Sequence, residues 1–256
     1  MTAAVSTARY FPWDGGAIFI GTAGEIAAHA HQAIQICFRF EGCIRLRADR
    51  SDSWSDYEIA LVPSRVTHAM DGGRVHFGAT IFVEPETPEG RALAAHYGQR
   101  GISAVERQPF VGSLSRLCAA ATEQRGRDAV VDAARGLVHG LAAQSRSMSA
   151  SDDRILRAVR YVNANLSAPI TLAQVAAVAC LSPGRFRHLF AEQTGMGLRQ
   201  YVLWRRFVSV WELRMNGASL STAAHAAGFA DSAHLTRTSR RMFGMPPSLM
   251  EIAAEE

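Results

Sequence analysis

The chain contains no lysine, and all 27 of its basic side chains are arginines. There is accordingly no glycine-rich loop ending in lysine to cradle phosphates, and no G-x-S-x-G nucleophile turn occurs. Cysteine is scarce. Cys37, Cys43, Cys118 and Cys180 include no C-x-x-C pair, which excludes a zinc ribbon or a dithiol redox motif. They read as free or buried thiols of a reducing compartment. No apolar run approaches the ~20 residues of a membrane span. The stretch from Met1 to Tyr10 lacks the basic start and apolar core of a signal peptide, so the expected location is the cytoplasm.

What is present is an ordinary apolar content, 48% of 256 residues, ample for two packed domains. Charge is unevenly spread. Residues 1–151 carry 15 Arg and 15 acidic residues, whereas 152–256 carry 12 Arg against 8. Between Ser182 and Phe243 the balance is 9 Arg to 3 acids, the electrostatic footprint of a polyanion-binding surface or a solvated charged face.

From about Tyr10 to Pro85 the chain reads as strands. Ile34, Ile36, Phe38 and Phe40 alternate with Gln35, Cys37, Arg39 and Glu41, and Val75, Phe77, Ala79, Ile81 and Val83 repeat the pattern. The turn formers Asp14-Gly15-Gly16, Glu41-Gly42 and Asp71-Gly72-Gly73 punctuate these runs. A small antiparallel barrel or sandwich follows. Glu84, Glu86 and Glu89 beside Pro85 and Pro88 read as a solvated acidic turn. Apolar residues then recur three and four apart, at Val111, Leu114, Leu117 and Cys118 and from Val130 to Leu141, predicting two helices. The polar, Ser-rich stretch 145–153 is the expected linker.

Beyond it lies a run of short helices. Thr171 with Gln174 forms a capping-box pattern, and Ser182 followed by Pro183 opens the next helix. A near-repeat follows. Leu220, Ala223 and Ala224 echo Leu172, Val175 and Ala176, Gly228 falls where Cys180 stood, and Asp231 takes the capping place of Ser182 after a one-residue slip. Gly244-Met245 echoes Gly195-Met196. Between the copies, Tyr201, Trp204, Val208, Trp211 and Met215 form one apolar stripe, and Leu203, Phe207 and Val210 another. A helix apolar on two faces is buried between other elements. At ~30 Å it is long enough to hold two reading helices in successive major grooves, ~34 Å apart.

Residues 152–250 resemble the AraC/XylS family of transcription regulators. The resemblance rests on Leu181-Ser182-Pro183, Leu189-Phe190, Thr194-Gly195, Tyr201-Val202, Arg206, Gly228-Phe229, Asp231, Arg237, Gly244 and Pro246-Pro247. It implies reading helices near Ser182–Gln193 and Asp231–Phe243. The positions facing bases would be Gly184, Arg187 and His188, then Ser232, Ala233, His234 and Arg237. Arg187 and Arg237 suit a bidentate contact with guanine. Arg185, Arg199, Arg205 and Arg240 would hold phosphates, which position without specifying. Arg206, in a mostly apolar helix, reads as structural. Leu235 and Ser239 depart from the family's aromatic residues and Arg214 from its core leucine, so the second unit is expected to pack less tightly.

The N-terminal half resembles the cupin-like sensors common in that family. Gly24, His29-Ala30-His31, Gln35 and Gly42 are followed by His68. Metal-binding cupins place a carboxylate where Gln35 stands, and an amide is a weak neutral ligand. His29, His31, Gln35 and His68 therefore line an effector pocket, hold a metal such as zinc, iron or nickel, or serve structure alone. The expected fold is α+β. Residues 1–87 form a cupin-like antiparallel β-barrel sensor. Residues 88–147 form helices that link, dimerise or pack back on the barrel. Residues 152–252 form an all-α domain with two helix-turn-helix motifs joined by a long helix. The expected function is a sequence-specific, non-enzymatic transcription regulator controlled by a small-molecule effector, with no cofactor required. Double-stranded DNA and RNA polymerase would be its partners, a homodimer a further expectation, and no membrane is involved. The rival is a metal-dependent cupin enzyme carrying a helical domain.

Overall fold

The alternating runs of the first eighty positions become strands β1 (Ser6–Trp13), β2 (Gly16–Ala23), β3 (Ile26–His29), β4 (Ile34–Arg39), β5 (Ile44–Ala48), β6 (Ser55–Tyr57), β7 (Ile59–Val62), β8 (His68–Asp71) and β9 (Val75–Val83). The structure, a computed structural model, describes residues 6–23, 25–48, 53–71, 75–98, 100–123, 125–145, 152–243, 246–247 and 250–252. Gly24, Gly72, Gly73, Gly244, Met245 and most of the expected Ser-rich linker lie outside the described residues. By packing, residues 1–148 with 240–256 make one unit and residues 149–239 the other.

Among the described residues the strands divide between two sheets rather than closing into a single barrel. With the short strands β10 (Ser103–Ala104) and β11 (Met250–Ile252), the larger has the order β10-β7-β4-β9-β2-β1-β11, and the smaller has the order β3-β8-β5-β6. Strand β4 shows how they combine. It pairs antiparallel with β7, Gln35 opposite Val62, and with β9, Ile36 opposite Ile81. Five of its six residues are buried, so both of its faces are interior. Ile34, Ile36 and Phe38 join the core shared with the helices, and Cys37 joins a second core with Ile44, Leu46, Val62 and Met70 of the smaller sheet. The "polar" positions of the alternation, Gln35 included, thus face an interior.

Three helices follow: α1 (Pro88–Tyr97), α2 (Val111–Thr122) and α3 (Arg127–Ala142). Their apolar stripes, Leu114 and Leu117 on α2 and Val130, Ala134, Leu137 and Leu141 on α3, belong to one core with Ile18, Ile36 and Ile81 of the larger sheet. Burying each such side chain contributes about 1.5–3 kcal/mol, which makes these helices a layer of the first unit. A dimer contact on α2 or α3 would have to use their outer faces, where residues such as Arg116, Asp132 and Arg135 are exposed.

The acidic turn is not solvated as expected. Glu84 and Glu86 are only 7% and 3% exposed. The chain turns tightly from β9 into α1: Thr87 caps the helix, its hydroxyl donating to the Glu84 carbonyl and accepting from the Gly90 N–H. A Cβ at Gly90 would sit 2.1 Å from that carbonyl oxygen. This close approach folds the acids inward.

The second unit contains α4 (Asp153–Ala164), α5 (Leu172–Val178), α6 (Pro183–Thr194), α7 (Leu198–Met215), α8 (Leu220–Ala226) and α9 (Ser232–Phe243), the last running on to residue 243. Its two halves repeat at the level of the backbone. Leu181 N–H donates to Ala176 O at 2.9 Å, and 48 residues on Phe229 N–H donates to Ala224 O, also at 2.9 Å. Cys180 and Gly228, equivalent in this turn, both take positive φ, 55° and 84°. At Gly228 a Cβ would meet Leu166 O at 2.6 Å and the Arg206 guanidinium at 2.9 Å. Gly228→Ala should therefore destabilise the second unit by about 2 kcal/mol or more. Cys180→Gly, which relieves a side chain held in the left-handed region, should stabilise it by about 1 kcal/mol. Urea unfolding curves of the two variants check both signs.

Candidate nucleic-acid interface and histidine centre

The local chemistry that starts each helix is legible in the sequence. Thr171 and Gln174 make the complete capping box of α5. Ser182 caps α6, accepting from Arg185 N–H, with Pro183 in the first turn and Gly195 closing the helix at φ 74°. Asp231 accepts from His234 N–H at 2.6 Å. On α6, Phe186 and Phe190 face inward, Phe190 meeting Tyr201 edge-on at 5.2 Å. That leaves Gly184, Arg187 and His188, three and four residues apart, together on the exposed face. On α9, Leu235 is fully buried, and Ser232, Ala233 and Arg237 are exposed. His234 is half-buried, its ring packed 5.2 Å from that of Phe229.

The long helix α7 buries Tyr201, Trp204, Phe207, Val210 and Trp211. Its 18 residues span about 27 Å. Tyr201 joins the core of α4, α5 and α6, and α7 packs onto α8 farther along.

The arginines of this unit separate into two groups. Arg206 donates from Nε to Leu166 O at 2.8 Å and from Nη2 to Ala168 O at 3.0 Å. Arg205 donates to Asn163 Oδ1 at 2.9 Å, and Arg214 to Ala218 O at 3.0 Å. These guanidiniums hold loops and helices together. The exposed side chains of Arg187, Arg199 and Arg237, and of Arg240 on the last turn of α9, have no intramolecular partner among the described residues. Free, exposed guanidiniums are the donors a phosphate backbone or a guanine edge requires.

The first unit holds a different kind of site. His29 and His68 stand opposite each other across the β3–β8 ladder, and His31 lies in the loop after β3. The rings are buried together, with centroids 4.4 to 5.5 Å apart. Gln35 Oε1 lies 2.6 Å from His31 Nε2 and 3.1 Å from His68 Nε2. Burial, and the neighbouring imidazoles after it, lower the His31 pKa well below its usual value. Burial above all brings that of His68 down to about 4, and lowers that of His29. All three rings are neutral at physiological pH. Beside them burial pushes the Cys37 thiol up to about 12, so it is no nucleophile.

Residues 175–250 match the family of the helix-turn-helix domain. Regulatory protein PocR of Salmonella typhimurium is 30% identical over 104 residues, covering 40% of this chain and 34% of that protein. The arabinose operon regulatory protein of Escherichia coli is 27% identical over 110 residues, covering 41% and 37%. The C-terminal domain is an AraC-type helix-turn-helix domain. The match spans only about a third of those relatives' length. Over the whole chain, the fold is similar to that of unsaturated-fatty-acid-bound ToxT from Vibrio cholerae, with a TM-score of 0.60 at 12% identity, covering 100% of both chains.

In the AraC-type domain the structure brings Gly184, Arg187 and His188 onto one exposed face, and Ser232, Ala233 and Arg237 onto exposed positions of α9. Arg185 and Arg199 are exposed as expected, whereas Arg205 is half-buried and engaged with Asn163. Leu235 and Ser239, expected to loosen the second copy, are both fully buried, and Leu235 fills its place without an aromatic ring. Sequence reasoning missed Arg65. This residue takes a left-handed φ of 66°, and its N–H donates to His31 O at 2.8 Å. Only the preceding Pro63-Ser64 pair hints at a turn there.

The lowered histidine pKa values fix the direction of a pH effect. Between about pH 4 and 6.5 the unfolded chain binds protons that the folded one refuses, so stability falls as pH drops through that window. For His68 the loss is about 2 kcal/mol at pH 5. Chelator-treated protein should melt at progressively lower temperature between pH 7 and pH 5. A constant melting temperature would mean that the rings take up protons inside the fold.

Proposed function

We propose that this protein is a transcription regulator that binds double-stranded DNA through both helix-turn-helix copies and answers to a small-molecule effector held by its N-terminal unit. The observation that carries the reading is the pairing of duplicated, capped helices with exposed arginines that have no intramolecular partner among the described residues. Base contacts fall to Gly184, Arg187 and His188 on α6 and to Ser232, Ala233, His234 and Arg237 on α9. Phosphate contacts fall to Arg185, Arg199 and Arg240. The relatives that match the C-terminal domain are regulatory proteins, and RNA polymerase is the partner through which such a regulator would act.

For the effector, a groove of about 690 Å³ in the N-terminal unit, lined by Arg39, Phe40, Phe77, Arg107, Leu114 and Cys118 among others, has the size of a small-molecule site. Its lining joins apolar surface to the guanidiniums of Arg39 and Arg107 and the carboxylates of Glu41 and Glu123, which suits an amphipathic molecule with polar groups at one end.

Selection of bound DNA from a random pool, followed by fluorescence anisotropy, tests the proposal. Arg187→Ala should relax preference at one base position and cost about 1–3 kcal/mol on the selected site. Arg199→Ala should weaken all sequences alike and lower the salt slope by about 1. Recovery of no consensus sequence, or the same behaviour in both variants, would overturn the proposed assignment.

A further inference from the structure

The groove of the first unit opens where β4 ends. Arg39 is the last residue of that strand, and Phe40 and Glu41 follow it. Phe77 of β9 and Leu114 and Cys118 of α2 line the same space. Its apolar side is largely aromatic: the Phe40 and Phe77 rings lie 4.7 Å apart, tilted by 31°.

Four charged side chains line the groove, and two of them already have partners. Arg107 donates from Nη2 to Phe40 O at 2.9 Å and from Nη1 to Arg39 O at 3.4 Å. Glu123 accepts from Arg125 Nε at 2.5 Å. The other two keep groups without partners. Arg39 donates from Nη1 to Cys43 O at 3.3 Å, but its Nε is closed to solvent and has no hydrogen-bond partner. A buried donor without an acceptor is costly, so a ligand oxygen placed there would be stabilised. The exposed Glu41 carboxylate forms no hydrogen bond or ion pair among the described residues. Its charge is felt across the groove: burial first, and the Glu41 carboxylate after it, raise the pKa of the Cys118 thiol on α2.

The backbone holds the Arg39 guanidinium beforehand. Arg39 stands opposite Gly78 in the β4–β9 ladder. Gly42 then reverses the chain at φ 82°, which carries Cys43 O back to Nη1. The result is one cation and one anion, two residues apart, on the rim of an aromatic groove. A simple carboxylate would supply the acceptor for Arg39 but bring its charge towards Glu41. A simple amine would meet the converse. A molecule with both signs at one end meets each with its opposite.

We propose that the groove binds a zwitterionic amphipath of the α-amino acid class. Its carboxylate accepts from Arg39 Nε, its ammonium donates to Glu41, and its apolar side chain packs against Phe40, Phe77 and Leu114. An α-amino acid carries both charges at neutral pH, and a ring-bearing side chain packs offset or edge-on against phenyl rings. The proposal rests on the reading of this groove as the effector site and names what that site selects.

Isothermal titration calorimetry of the full-length protein at neutral pH compares three probes that share one ring. They are L-phenylalanine, 3-phenylpropionate, which lacks the ammonium, and 2-phenylethylamine, which lacks the carboxylate. L-Phenylalanine should bind about tenfold or more tightly than either, the effect of one charge-assisted hydrogen bond. Glu41→Gln should abolish the advantage over 3-phenylpropionate, and Arg39→Met the advantage over 2-phenylethylamine. Phe77→Ala should weaken all three. Should Arg39→Met fail to fold, Glu41→Gln at its exposed position decides alone. L-Phenylalanine binding no tighter than an analogue, or an advantage that survives Glu41→Gln, would overturn the zwitterion assignment. Analogue binding that still depends on Phe77 would then leave the groove as the effector site. Binding of none of the three would remove both readings.

Discussion

The C-terminal domain depends on one constraint, that α7 cannot be left with a free side. Its apolar residues cover two faces, and Tyr201, Trp204, Phe207, Val210 and Trp211 are all buried. Five aromatic or branched side chains of this size, each worth about 1.5–3 kcal/mol on burial, require helices on both sides. The α5–α6 pair answers toward one end of α7, and α8 packs along it. The first pair takes Tyr201 into its core, and α8 of the second copy packs along the same helix.

Arginine serves two purposes here because it is the only long cation in the chain. Arg206 reaches two carbonyls beyond α4 and lies against the glycine at the turn of the second copy. A carbonyl pair without a carboxylate suits a planar guanidinium, whose several N–H groups point along fixed directions. Burial lowers the pKa of Arg206, but a guanidinium keeps its proton inside proteins, so it stitches the domain together as a cation. Among the described residues the exposed guanidiniums of Arg187, Arg199, Arg237 and Arg240 have no intramolecular partner, which suits them to an external polyanion.

In the first unit the same economy concerns the faces of β4. With helices on one side of the large sheet and the small sheet on the other, no face of this strand meets water. A polar residue placed there must find its partners inside. Gln35 does so with the histidines, and the neutral state of those rings follows from the same burial.

The sequence alone determined the elements whose chemistry is local. The capping box at Thr171, the caps at Ser182 and Asp231, the turn shared by Cys180 and Gly228 and the doubled-faced α7 are all written within a few residues of where they act. The H-x-H spacing likewise placed His29 and His31 near a common side. Tertiary structure decided what depends on partners far along the chain. It assigned α2 and α3 to the core of the larger sheet, since an apolar stripe does not name the surface that will cover it. It buried Glu84 and Glu86 through a close turn into α1, and it filled the second copy's core with Leu235 where the resemblance led one to expect a ring. It also distinguished Arg205 and Arg206, tied to Asn163 and to two carbonyls, from Arg187 and Arg199, which have no partner among the described residues. Sequence reports that a side chain can donate hydrogen bonds. Only the fold determines whether an acceptor has been brought within reach.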